Sequence, residues 1–131
     1  MKDFITYELA VKLKEKGYPQ HICDYAYIIE DDYEENKCVV RDREYIPFIP
    51  DYLPTIAAPV ISQVLKWLRE EKDIDLVINP VFFYDDDLGR MREYGCEVFA
   101  PSLNKPEHCG YHEKWEQASI AGIEYVLDNI I

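Results

Sequence analysis

Residues 57–78 read AAPVISQVLKWLREEKDIDLVI, and this stretch decides the fold. Pro59 stands where the first turn of a helix tolerates a missing N–H. Val60, Ile61, Val64, Leu65, Trp67 and Leu68 then share an arc of about 160° at about 100° per residue. Ser62, Gln63, Lys66, Arg69 and Glu70 occupy the other side. After a short joint, Ile74, Leu76 and Ile78 alternate with Asp75, Val77 and Asn79, a period-two strand with one buried face. A one-sided helix feeding a half-buried strand predicts a small α+β domain. Trp67, at the margin of the apolar arc, reads as a core anchor.

Working outward, residues 5–16 predict a first helix, with Ile5, Leu9 and Leu13 as its apolar stripe and Thr6 or Asp3 as its cap. Gly17 is placed for a left-handed C-terminal cap, and Pro19 prevents continuation. Residues 25–30 and 37–41, rich in aromatic and β-branched side chains, read as a hairpin around an acidic turn at 31–36. Residues 45–50, with two prolines, are extended, either an edge strand or a connector, and Pro54 and Thr55 lead into helix two. Pro80 interrupts the strand after helix two. The apolar phase shifts there to Val81 and Phe83, which predicts a bulge or an edge location. Tyr94, Cys96 and Val98 form the return strand beyond an acidic loop that contains Gly89. Residues 101–110 read as a polar loop. Residues 115–129 read as a third helix, with Trp115, Ala118, Ser119, Gly122, Ile123, Val126, Leu127 and Ile130 on one side. Gly122 costs about 1 kcal/mol of helix propensity, so a close crossing is expected there. The order is α-β-β-α-β-β-α. It predicts one α+β domain over residues 1–131, with an antiparallel sheet of about four strands covered by three helices.

The bulk chemistry narrows the function classes. The chain has 131 residues, 48% of them hydrophobic, enough for a real core. No apolar run reaches the roughly 20 residues of a membrane helix, and residues 1–6 lack the apolar core of a secretory signal. A cytoplasmic location is therefore expected, with Cys23, Cys38, Cys96 and Cys109 reduced. The net charge is −12, with a sequence pI near 4.6. Such a surface repels phosphate backbones, so direct nucleic-acid binding is not expected, and it attracts basic protein surfaces. Acidity also keeps a small domain soluble, whatever its partners.

No Walker loop, dinucleotide fingerprint or nucleophile elbow is present, so no catalytic residue and no cofactor is assigned. One constellation suits a metal: His21 and Cys23 with Cys109 and His112. His21 and Cys23 point the same way on an extended segment, and Cys109 and His112 are three apart. Two Cys and two His suit tetrahedral zinc, and a Cys–His pair suits nucleophilic chemistry. The competing reading is four unrelated core or loop residues. The acidic runs at 30–35 and 85–87 do not follow the EF-hand pattern and read as solvated turns. Eleven tyrosines among acids suit a binding surface, and equally the half-buried face of a sheet.

The run from Ala58 to Glu70 and the pieces Trp115-Glu116-Gln117-Ala118 and Gly122-Ile123, with Lys16-Gly17-Tyr18 near the start, resemble a family of small proteins carried by phages and prophages of anaerobic gut bacteria. Those proteins carry an AP-x-x-x-Q-x-x-K-W-L-R-E helix and end in a Y-E-E-A-x-x-A-G-I helix. The chain departs from the pattern at Lys114, where the family has a Ser or Thr cap. The resemblance implies a phage setting and assigns no activity. The function expected from all of this is a non-enzymatic accessory protein that binds a basic protein through its acidic surface, a DNA mimic being one version. The alternative is a metal-dependent or thiol enzyme using His21, Cys23, Cys109 and His112.

Overall fold

The computed structural model describes residues 3–20, 25–31, 36–42 and 55–131. The chain is α+β and divides into two compact units, Met1–Val60 and Ile61–Ile131.

The first unit contains α1 (Tyr7–Glu15), β1 (Tyr25–Asp31), β2 (Asn36–Asp42) and β3 (Thr55–Ala57). Thr6 is the N-cap of α1, its Oγ1 accepting from the Leu9 N–H at 3.3 Å. At the other end Gly17 takes φ +90°. The Gly17 N–H then donates to the Lys14 carbonyl at 3.2 Å and the Tyr18 N–H to the Leu13 carbonyl at 2.9 Å. This is the Schellman closure, which only a residue free of a Cβ penalty enters cheaply. Ile5, Leu9 and Leu13 are buried, as their spacing predicts. The β1–β2 hairpin is antiparallel, in register from Tyr25↔Asp42 to Asp31↔Asn36. Residues 32–35 of the expected acidic turn and residues 45–50, expected to be extended, lie outside the described residues.

The segment expected only to lead into helix two makes a third strand. β3 pairs antiparallel with β1 at Ala26↔Ala57, giving the order β2-β1-β3. Gln20 ties α1's exit to this strand. Its Oε1 accepts from the Ala57 N–H and its Nε2 donates to the Tyr18 carbonyl, both at 2.9 Å. Pro59 precedes the helix it was expected to open, and its carbonyl accepts from the Ile5 N–H at 3.1 Å.

The second unit contains α2 (Ile61–Lys72), β4 (Asp75–Asp85), β5 (Gly89–Phe99), β6 (Glu107–His112) and α3 (Trp115–Asn129). Ile61, Val64, Trp67 and Leu68 of α2 are buried. Trp67 is therefore a core residue, and the Lys72 ammonium lies 5.4 Å from its ring. Asp73 turns the chain at φ 57°, and the Ile74 N–H closes on the Leu68 carbonyl at 3.0 Å. β4 pairs with β5 without interruption from Asp75↔Phe99 to Asp85↔Gly89. Pro80 therefore makes no bulge in β4. It is accommodated because β4 is the edge of a sheet ordered β4-β5-β6. β6 replaces the second half of the loop expected at 101–110. The strands thus form two antiparallel sheets of three rather than one of four.

α3 begins and ends where its periodicity predicts. Ala118, Ser119, Gly122, Ile123, Val126 and Leu127 are its buried face, and Ser119 Oγ is satisfied by the Trp115 carbonyl at 2.9 Å. The expected close crossing at Gly122 is present. A Cβ added there would collide with Cys96 Sγ and sit 3.2 Å from Leu76 Cδ2. Among the described residues no helix is long and apolar enough to cross a membrane.

Candidate functional site

Of the four residues in the metal reading, His21 and Cys23 lie outside the described residues, and Cys109 and His112 are on β6. Three residues apart on a regular strand, these two would face opposite ways. A bulge changes that. Gly95 pairs with Tyr111 and Glu97 with His108, so Cys96 alone opposes both Cys109 and Gly110. Gly110 takes φ +92°, the conformation such a bulge asks of a glycine. The extra residue resets the alternation. Cys109 and His112 then fall on the side of Cys96 and α3, and His108 and Tyr111 on the outer side. On that outer side His108 and Tyr111 cover Gly95, their ring centroids 4.7 Å apart.

The bulge brings Cys109 to Cys96. No group of three or more His, Cys, Asp or Glu converges among the described residues. His112 Nε2 is buried with no hydrogen-bond partner among them. Both cysteines are free thiols, Cys96 fully buried and Cys109 half-buried. Burial first, then the neighbouring Cys109 thiol and the Glu97 carboxylate, push the Cys96 thiol up to about 12. Burial also raises Cys109, the adjacent Cys96 thiol lowers it, and Glu107 raises it again. The Tyr125 phenol is raised as well by desolvation, Glu107 and Cys109. The pair therefore rests as two protonated thiols at neutral pH, with Cys109 the better placed of the two to ionise.

A second feature of this unit is the far end of the β4–β5 ribbon. β6 pairs with β5 over Tyr94–Val98 only. Beyond Tyr94 and its partner Pro80 the sheet thins to a two-stranded arm, and no third strand pairs with it among the described residues. The arm closes through residues 86–88. Asp85 Oδ1 accepts from the Asp87 and Leu88 N–H groups at 2.9 and 3.0 Å, and Gly89 supplies φ +80°. The arm exposes large apolar side chains. Phe82 is 62% exposed, Tyr84 75% and Leu88 72%. Phe82 and Tyr84 share a face with Arg92 and Arg90, their cross-strand partners, and Phe83 opposes Met91 on the other face. The Arg92 guanidinium lies 5.1 Å from the Tyr94 ring, so the aromatic row continues with a cation stacked on it. Asp85, Asp86, Asp87 and Glu93 make the arm acidic on balance.

Comparison with protein-family models, with curated proteins and with solved structures finds no match.

Proposed function

We propose that this protein is a non-enzymatic binding protein whose β4–β5 arm docks on a basic protein partner. The observation that carries this reading is the arm itself. An isolated two-stranded ribbon is marginally stable in water. One that holds Phe82, Phe83, Tyr84 and Leu88 exposed puts hydrophobic surface where it contributes nothing to the fold. Tyrosine, phenylalanine and arginine beside one another are the composition of interface hot spots. The charge of −12 speeds encounter with a positively charged partner, and the carboxylates around the tip complement its rim. In a phage or prophage setting, which the sequence resemblance implies, the partner is a host or phage protein. A basic nucleic-acid-binding site falls within the same chemistry.

Affinity capture from a bacterial lysate at low and at raised salt, with retained proteins identified by mass spectrometry, tests this. The expected result is a defined basic protein, released as salt rises and absent when the bait is the Phe82→Ser/Tyr84→Ser variant. A partner held equally by that variant, or one without a basic surface, overturns the reading. Recovery of no specific protein counts against it in the same way.

A further inference from the structure

We propose that Cys96 and Cys109 are a reversible dithiol–disulfide couple that links β5 to β6 when a low-molecular-weight disulfide is present. Three features of the fold place the pair. First, the β5–β6 bulge sets Cys96 opposite Cys109 and Gly110, on the same side of the sheet. Cross-strand neighbours have Cβ atoms about 4.5–5.5 Å apart, within a small adjustment of the roughly 3.5–4.5 Å a disulfide takes. Second, the two thiols are near enough for each to shift the other's ionisation. Third, the pair is asymmetric in access. Cys96 Sγ lies against the bare backbone of Gly122 and is sealed from solvent, whereas Cys109 is half-buried on the strand next to the loop.

This asymmetry assigns the order of events. Cys109 ionises and attacks one sulfur of the small disulfide. A protein–small-molecule S–S bond forms, the original S–S bond breaks, and the first small thiolate leaves with the proton Cys109 gave up. Cys96 then attacks the Cys109 sulfur. The intramolecular S–S bond forms, and the second small thiol departs with the Cys96 proton. Two protein thiols are oxidised and one small disulfide is reduced to two thiols. Cys96 needs no access to solvent for its step, because its target is the neighbouring sulfur. Glu97 and Glu107 flank the pair with negative charge, and both oppose ionisation. The exchange is therefore slow at neutral pH and faster in mild alkali.

Oxidised glutathione is the probe. The full-length protein is incubated with it, blocked with an alkylating agent and cleaved after glutamate. Cuts at Glu97 and Glu107 put the two thiols on different peptides. The expected result is the loss of two thiols, a linked Cys96–Cys109 peptide pair and no retained glutathione. Cys96→Ser should stop at one glutathionyl adduct on Cys109, and Cys109→Ser should leave Cys96 unmodified. The same mapping in a Cys23→Ser/Cys38→Ser background removes competing thiols. A stable adduct on Cys109 in the parent protein, a link from Cys96 to another cysteine, or two thiols that survive excess oxidant would each overturn the proposal.

Discussion

Gly122 of α3 and Cys96 of β5 are packed so closely that the helix position has no room for a Cβ. An atom built there overlaps Cys96 Sγ, and Leu76 closes the other side at 3.2 Å. Two opposing effects decide what Gly122→Ala does. Alanine gains up to about 1 kcal/mol of helix propensity. Overpacking against the buried Cys96 sulfur and the half-buried Leu76 side chain costs about 1–3 kcal/mol. The obstructing atoms belong to short side chains in a filled core, so packing wins. Gly122→Ala should lower stability by about 1–2 kcal/mol in a denaturant titration. A variant more stable than the parent would show that α3 can lift from the sheet at this point.

The other end of the same helix should respond in the opposite direction. Lys114 is the N-cap residue, with extended φ and ψ of −122° and 148°, and its side chain makes no capping hydrogen bond. A lysine there also sets a positive charge against the positive end of the helix dipole. Lys114→Ser keeps the backbone conformation and adds a hydroxyl that can accept from a first-turn N–H. The expected gain is about 1 kcal/mol, read as a rise in Tm. Lys114→Asp should gain at least as much at low salt and lose part of the gain as salt rises.

Both positions were legible in the sequence, because helix period and cap chemistry are local. The α3 boundaries, the Gly17 closure and the β1–β2 hairpin follow from neighbours a few residues away. What the sequence hid was long-range. β3 is a three-residue strand just after Pro54, too short to show alternation. β6, with Glu107, His108, Cys109 and Gly110, has weak strand propensity, and its pairing with β5 is what makes it a strand. The one available signal was Tyr111 beside Gly110, an aromatic next to a residue suited to a bulge. The Cys96–Cys109 pairing depends on that bulge, so no spacing rule could have found it. The phase shift at Pro80 predicted a bulge or an edge location, and the edge is the outcome: β4 pairs without a bulge and lies at the margin of its sheet. The arm was hidden for a different reason. Phe82 and Tyr84 alternate like half-buried strand residues, and alternation alone does not tell a covered face from a bare one.

The thiol pair gives stability a pH dependence with a definite sign. Cys96 is pushed up to about 12 from the ordinary 9.0, and Cys109 is raised as well. Unfolded thiols ionise near 9.0, whereas the folded protein still holds their protons. The stabilising contribution is therefore fully present below pH 9.0 and is lost as pH rises from there towards about 12. The stability advantage of the parent over Cys96→Ala should narrow above pH 9.0, measured by denaturant titration across that range. The same shift should appear in reactivity. Alkylation of Cys109 should climb about tenfold per pH unit and keep climbing where a free thiol levels off. A plateau at or below pH 9.0 would contradict the raised value.

The arm offers the clearest separation of folding from binding. Residues that hold a fold together lose stability when truncated, by about 2–5 kcal/mol for large core side chains. Phe82 and Tyr84 are mostly exposed, and their backbone pairing with Arg92 and Arg90 does not depend on the ring. Phe82→Ser/Tyr84→Ser should therefore shift stability by no more than about 1 kcal/mol, most of it lost strand propensity and cross-strand contact. Asp85→Ala is the useful contrast. It removes the carboxylate that accepts from the Asp87 and Leu88 N–H groups, so it should loosen the turn and cost about 0.5–1.5 kcal/mol without touching the aromatic face. If the arm is the docking element, the aromatic double variant abolishes partner binding at nearly full stability, and Asp85→Ala weakens binding only in proportion to the disorder it causes. Amide hydrogen exchange in residues 80–93 reads that disorder directly. A large stability loss in the aromatic variant would mean that Phe82 and Tyr84 serve the fold, and the partner's site would then have to lie elsewhere on the chain.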